Sequence, residues 1–210
     1  KWIEKAESAS PEVKADIISM LGRRGCGLAK ALVAKSLDSA NEKVRREALV
    51  ALVLLQQSKA VPTLAAHLAR GKDLKTTQTV LSGLLDKNHL DPVFALLDKT
   101  SGKPKAACID IIAAKAGTQY FEDILAVTSS GNSDEKTAAF RALKNVTTYD
   151  NVNELTQLLL SVSADSEIEA TQMALVVATK GIKAEEEADG KILSALKSTG
   201  KKGRILAILP

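Results

Sequence analysis

The chain has 210 residues, of which 45% are hydrophobic but only 3% aromatic. Its apolar residues are mainly Ala, Leu, Val and Ile, a mix that packs helices better than it fills a sheet. Mean hydropathy is zero, and no run of about 18 apolar residues occurs, which excludes a membrane span on sequence grounds. The net charge of +4 is unequally divided: residues 1–105 hold 18 Lys and Arg against 11 Asp and Glu, and residues 106–210 hold 11 against 14. The first half is basic enough to attract polyanions, although its charges are scattered and not blocked.

The chain opens KWIEKAESASPE, with no initiator Met and no apolar signal region, and reads as a mature form or an excised fragment. That leaves the compartment open: cytoplasmic or, if a signal has been removed, periplasmic. An internal repeat follows. VRREALVAL (44–52) is its template, with a basic residue second, small or apolar residues fifth and sixth, and an apolar residue last. VKADIISML (13–21), TTQTVLSGL (76–84), PKAACIDII (104–112), EKTAAFRAL (135–143), EATQMALVV (169–177) and KKGRILAIL (201–209) share its apolar pattern. Their last residues are Leu21, Leu52, Leu84, Ile112, Leu143, Val177 and Leu209, separated by 31, 32, 28, 31, 34 and 32 residues.

A short polar turn and a second apolar stripe follow most of these segments. The stripes are Val61, Leu64 and Leu68; Leu90, Val93 and Leu97; Phe121, Ile124 and Leu125; Val152, Leu155 and Leu159; and Ile192, Leu193 and Leu196. Spacings of three and four put each set on one helical face. A unit is therefore predicted to be two amphipathic helices of about 10–14 residues. Ser10, Asn41, Ser133 and Ser166 precede acidic residues and stand as N-caps of first helices. Gly71, Gly102, Gly131 and Gly200 stand as C-terminal caps of second helices. In LGRRGCGLAK (21–30), Gly22 and Gly25 fall at a helix–helix corner that needs left-handed backbone and close approach, and Gly27 precedes a second helix begun by Leu28 and Leu32.

A helix pair of this length cannot bury its own apolar face, and stacking of neighbours does it instead. The expected fold is all-α, a right-handed α-α superhelix of about six helix pairs plus one truncated repeat. It forms a single domain over 1–210, with units near 10–40, 41–73, 74–102, 103–132, 133–165 and 166–200 and the truncated copy at 201–210.

NEKVRREALVALVLLQQSKAVPTLAAHL (41–68) resembles the short HEAT-like repeat of the phycobilisome-lyase type, an armadillo-like α-solenoid family. The resemblance rests on Asn41, Val44, Arg45, Ala48, Leu49, Leu52, Val61, Pro62 and Leu64. The second unit matches well, the first and fourth in part, and the others in apolar pattern only. The Val-Pro pair occurs once, with Asp91-Pro92-Val93 a near relative. The resemblance covers essentially the whole chain. It implies a non-catalytic scaffold that presents an extended surface to a protein partner or to an adjacent domain of the same polypeptide. A looser likeness, in composition only, is to repeat arrays attached to sugar-processing domains in secreted proteins of Bacteroidetes. It implies an accessory region of a larger secreted or periplasmic protein.

No motif points to catalysis, a metal or a cofactor. His67 and His89 fall in different units without a second ligand at helical spacing. Cys26 and Cys108 have neither metal nor disulfide-framework spacing and are expected as small buried hydrophobes. Asp134-Glu135 and Glu185-Glu186-Glu187 sit near helix starts, where acids are favoured for the dipole. SGKPKAA (101–107) is no phosphate loop, since Leu97 and Pro104 stand where Gly and Ser or Thr are required. Asn145-Val146-Thr147 fits the glycosylation acceptor pattern. Candidate contacts to a partner or polyanion are Arg23, Arg24, Lys30, Lys35, His67 and Arg70. Arg23, Arg24, Lys30, Lys35 and Arg70, with Arg45, Arg46 and Lys59, form a basic stripe fit for phosphates. Nucleic acid is the weaker reading, because Trp2 is the only aromatic there for base stacking.

Overall fold

A computed structural model describes residues 1–180, and among the described residues it contains helices and turns and no strand. The expected stripe at Ile192, Leu193 and Leu196, the acidic run at 185–187, Gly200 and the truncated copy at 201–210 lie outside the described residues. Internal contacts divide the chain into two compact units, Lys1–Ile111 and Ile112–Pro210.

The first unit holds α1 (Trp2–Ser8), α2 (Pro11–Arg23), α3 (Lys30–Ser36), α4 (Glu42–Gln56), α5 (Val61–Ala69), α6 (Leu74–Leu84), α7 (Asp91–Phe94) and most of α8 (Lys103–Ala114). The second holds the end of α8, then α9 (Phe121–Ser130), α10 (Ser133–Val146), α11 (Val152–Ser161) and α12 (Asp165–Thr179). Second helices begin at Lys30, Val61, Asp91, Phe121 and Val152, at intervals of 31, 30, 30 and 31 residues. Within the first unit α2 packs on α4 and α4 on α6, so first helix lies against first helix. Within the second, α10 packs on both α9 and α12. The outcome is an all-α helical repeat.

Side-chain caps start three of the first helices, α2, α4 and α10. The Val13 N–H donates to Ser10 Oγ and the Val44 N–H to Asn41 Oδ1, at 3.5 and 3.1 Å. The fifth first helix is capped one residue before the expected Ser133. Asn132 Oδ1 accepts from the Glu135 N–H and Glu135 answers at the Asn132 N–H, a reciprocal capping box. Ser166 lies inside α12, whose N-cap is Ala164 with no side-chain bond. The periodic pattern does not contain α1; its Ala6 is buried and the helix packs on α2.

Three second helices, α3, α5 and α7, have 7, 9 and 4 residues and fall short of the predicted length, and a 3-10 turn precedes α3, α5, α9 and α11. α7 has one helical turn and continues in i to i+3 bonds, Leu96 N–H to Val93 O at 3.0 Å and Leu97 N–H to Phe94 O at 2.9 Å. This tighter winding still brings Leu90, Val93 and Leu97 into the core. Leu21, Leu52, Ile112 and Leu143 are buried as expected. Leu84 and Val177 are only half-buried, and the next residues, Leu85 and Ala178, are inside. In α6 the buried face runs Thr77, Leu81, Leu85, a strict four-residue spacing that rotates it past Leu84. Leu125 is likewise half-buried, and Val127 and Thr128 take the inner face of α9. Leu28 is 85% exposed, since the 3-10 turn points it outward and buries Ala29 instead.

One glycine assignment changes, that of Gly102. Gly71 ends α5 in left-handed backbone with φ +72°, but Gly102 (φ +63°) precedes α8 and opens it, its carbonyl accepting from the Ala106 N–H at 2.9 Å. Gly131 ends α9 in extended backbone, φ −70° and ψ 160°.

The stretch Glu42–Ala69 has the length and hydropathy, 1.4, of a membrane-spanning helix. It is not one helix: the chain turns at Gln57 (φ 51°, ψ −131°) into the 3-10 segment Gln57–Ala60 before α5. Its apolar side chains, Leu49, Leu52, Leu64 and Leu68 among them, fill the core of the first unit.

Candidate functional site

The α2–α3 corner carries Arg23, Arg24 and Lys30, three cations of the basic half. α2 ends in a Schellman motif: the Cys26 N–H donates to Leu21 O and the Gly25 N–H to Gly22 O, both at 3.0 Å. Gly25 takes the left-handed position with φ +64°. Gly22 serves close packing, since a Cβ there would lie 2.8 Å from the Ala51 Cβ on α4. Gly27 does neither, and simply opens the 3-10 turn.

This geometry leaves Arg23, at the end of α2, and its C-cap Arg24 exposed, with Lys30 exposed at the start of α3 and Lys35 in its last turn. None of the four has an ion-pair partner among the described residues. Arg70, the C-cap of α5, is exposed too, but its Nη1 donates to Asp38 Oδ1 at 2.9 Å. Arg70 therefore ties the end of α5 to the segment after α3 and presents a partly neutralised charge.

His67 is not on a surface. It is 2% exposed, with Nε2 3.4 Å from Asp73 Oδ2 and Nδ1 buried without a hydrogen-bond partner. No edge of the ring is open to a partner, so His67 leaves the candidate contact set. Asp73 is the centre of a network that sequence reasoning missed. Its carboxylate receives Arg45 Nε at 2.7 Å and Nη2 at 3.1 Å, and Arg45 Nη1 also donates to Ser39 O and Ala40 O at 2.9 Å. One guanidinium thus joins the turn before α4 to the turn before α6. Burial pushes the Asp73 carboxyl up, but the Arg45 hydrogen bond and charge, with a smaller contribution from His67, outweigh it and hold the group below the usual carboxylate range. Asp73 precedes α6 in left-handed backbone (φ 48°, ψ 36°) and makes no side-chain cap bond, because its oxygens are committed to Arg45 and His67.

The other titratable groups have local roles. Backbone bonding from Asn88, then the His89 ring at 2.9 Å, lower Asp86 on an exposed turn. Burial pushes the Cys108 thiol up to about 12, against a smaller opposing effect of the Thr100 hydroxyl, so it stays protonated and inert at neutral pH. Cys26 is half-buried at the α2–α3 corner. Glu135 is spent on its capping box. Among the described residues no three His, Cys, Asp or Glu side chains converge as a metal site.

A second feature lies within the second unit. An open groove of about 710 Å³ runs between α10 and α12. Lys136, Phe140 and Lys144 line one wall at four-residue spacing, with Arg141 beside them. Ser166, Glu167, Glu169, Ala170 and Met173 line the other. The i, i+4, i+8 placement of Lys136, Phe140 and Lys144 was readable in the sequence, but nothing there showed which wall faces it.

Helix pairs starting about every 30 residues, stacked through apolar faces and joined at one point by Arg45, define an all-α helical-repeat fold. Residues 1–84 match the family model for HEAT repeats, and helix pairs on the same spacing continue beyond them. No curated protein matches the chain. HEAT repeats generally serve as protein-interaction scaffolds and are typically non-catalytic.

Proposed function

We propose that the chain is a non-catalytic scaffold that binds an acidic segment of a protein partner, or of an adjacent domain in its own polypeptide, through the α2–α3 corner. One observation carries this reading. The buried charges of the first unit are consumed in holding repeats together, whereas Arg23, Arg24, Lys30 and Lys35 are exposed and unpaired among the described residues. Cations on a rim steer an acidic partner and set its register more than they supply raw affinity.

The test is fluorescence anisotropy with a labelled Asp/Glu-rich peptide and, separately, a labelled DNA duplex, at low and physiological salt. Peptide binding that weakens about tenfold in Arg23→Glu/Arg24→Glu supports the scaffold reading. Tight duplex binding with a steep salt slope and no peptide binding replaces it with polyanion binding.

A further inference from the structure

The α10–α12 groove joins three features. Its α10 wall includes the basic residues Lys136 and Lys144, and its α12 wall the acidic residues Glu167 and Glu169. Between them lie Phe140, buried, and Met173, 48% exposed and one of the large apolar side chains left open on this protein. None of Lys136, Lys144, Glu167 and Glu169 forms an ion pair among the described residues, so these four charges stand open to a ligand. An apolar centre rimmed by charge has the anatomy of a docking surface, and methionine adapts its unbranched side chain to the apolar group it receives.

The charges decide what fits. A simple anion meets Glu167 and Glu169, and a simple cation meets Lys136 and Lys144. A nucleic-acid backbone is repelled along the α12 wall. A ligand that carries both signs, one on each side of an apolar stripe, satisfies both walls at once. The lining of α10 runs from Ser133 to Lys144, roughly 16 Å at the helical rise, or about three turns. We propose that this groove docks a short amphipathic helix of a partner protein, its apolar stripe on Phe140 and Met173, acidic side chains toward α10 and basic ones toward α12. The helix would lie against α10 and α12 as those helices lie against each other, by the same packing of apolar stripes.

This rests on the scaffold reading but uses the second unit alone. The probe is a labelled synthetic helix of about three turns with a leucine stripe, glutamates on one flank and lysines on the other. Two companions carry glutamates on both flanks or lysines on both. Anisotropy with the full chain is expected to rank the mixed-flank helix above both companions. Lys136→Glu/Lys144→Glu should weaken the mixed-flank helix at least about tenfold and strengthen the all-lysine helix. If that variant loses its helical circular dichroism, Met173→Gln, at an exposed position, is expected to weaken the mixed-flank helix instead. Arg23→Glu/Arg24→Glu should leave this binding unchanged, which separates failure of the groove from failure of the α2–α3 corner. Absence of mixed-flank binding, or binding indifferent to the groove variants, overturns the proposal.

Discussion

Asp73 shows how much one residue carries in a repeat protein. Its carboxylate is 1% exposed and Arg45 only 16% exposed, so each charge is compensated by the other's hydrogen bonds and not by water. Removing one partner leaves a buried ion uncompensated, which makes Arg45→Ala or Asp73→Ala cost about 3 kcal/mol of unfolding free energy, a loss that urea denaturation at neutral pH reads directly. The pH dependence follows from the direction of the Asp73 shift. Its carboxyl is held lower in the folded chain than in the unfolded one, so this stabilisation is complete above the unfolded value of about 3.9 and is lost as pH falls through the lower folded value. Urea midpoints measured from pH 5 downward should fall more steeply for the native sequence than for Asp73→Asn over that acid window. Arg45 stood out in the sequence, both among the residues that carry the HEAT-like resemblance and in the basic stripe. Its partner did not, since the two are 28 residues apart and Asp73 looks like an ordinary helix cap. The burial of His67 followed from the same hidden network.

At the scale of the helix, the corners obey one rule with unequal residues. The end of α2 and the end of α8 are the same motif. The Gly117 N–H donates to Ile112 O at 3.1 Å and the Ala116 N–H to Ala113 O at 3.1 Å, matching Cys26 to Leu21 and Gly25 to Gly22. The first corner places Gly25 in the left-handed position and the second places Ala116 there, with φ +50°. Ala116 is exposed, so its methyl contributes little packing. Ala116→Gly should therefore stabilise by about 0.5–1 kcal/mol, and Gly25→Ala should destabilise by a similar amount, both read as shifts in denaturant midpoint. The N-terminal ends give a matching test. Asn132→Ala removes a reciprocal capping box and should cost about 1 kcal/mol. The glycines of LGRRGCGLAK were legible as a corner, and two of the three roles could be placed from the pattern. The 3-10 turns that precede second helices were not, because periodicity registers a face and is blind to whether three or four residues close each turn.

Across the first unit, stability is unevenly supplied. α4 buries Val44, Ala48, Leu49, Ala51 and Leu52 between its neighbours, whereas α6 buries Thr77 and Leu81 and is followed by α7, a single helical turn. Repeat arrays are held by nearest-neighbour interfaces, so a thin interface opens before a thick one. The apolar period made the helix pairs of the described residues legible, and it also hid this weakness, since TTQTVLSGL fits the repeat while its first turn is polar. The charge-lined groove of the second unit was hidden for a different reason: its walls come from helices whose facing residues are set by packing, which no spacing along one helix reveals. The α6–α7 weakness has a direct consequence. Native-state hydrogen exchange should show the amides of α6 and α7 opening at lower free energy than those of α4. Leu81→Ala removes the one fully buried aliphatic side chain of α6 and should cost about 2–4 kcal/mol. It should also bring α6 and α7 into exchange while α4 keeps its protection; uniform loss across α2 to α7 would instead mean that the first unit unfolds only as a whole.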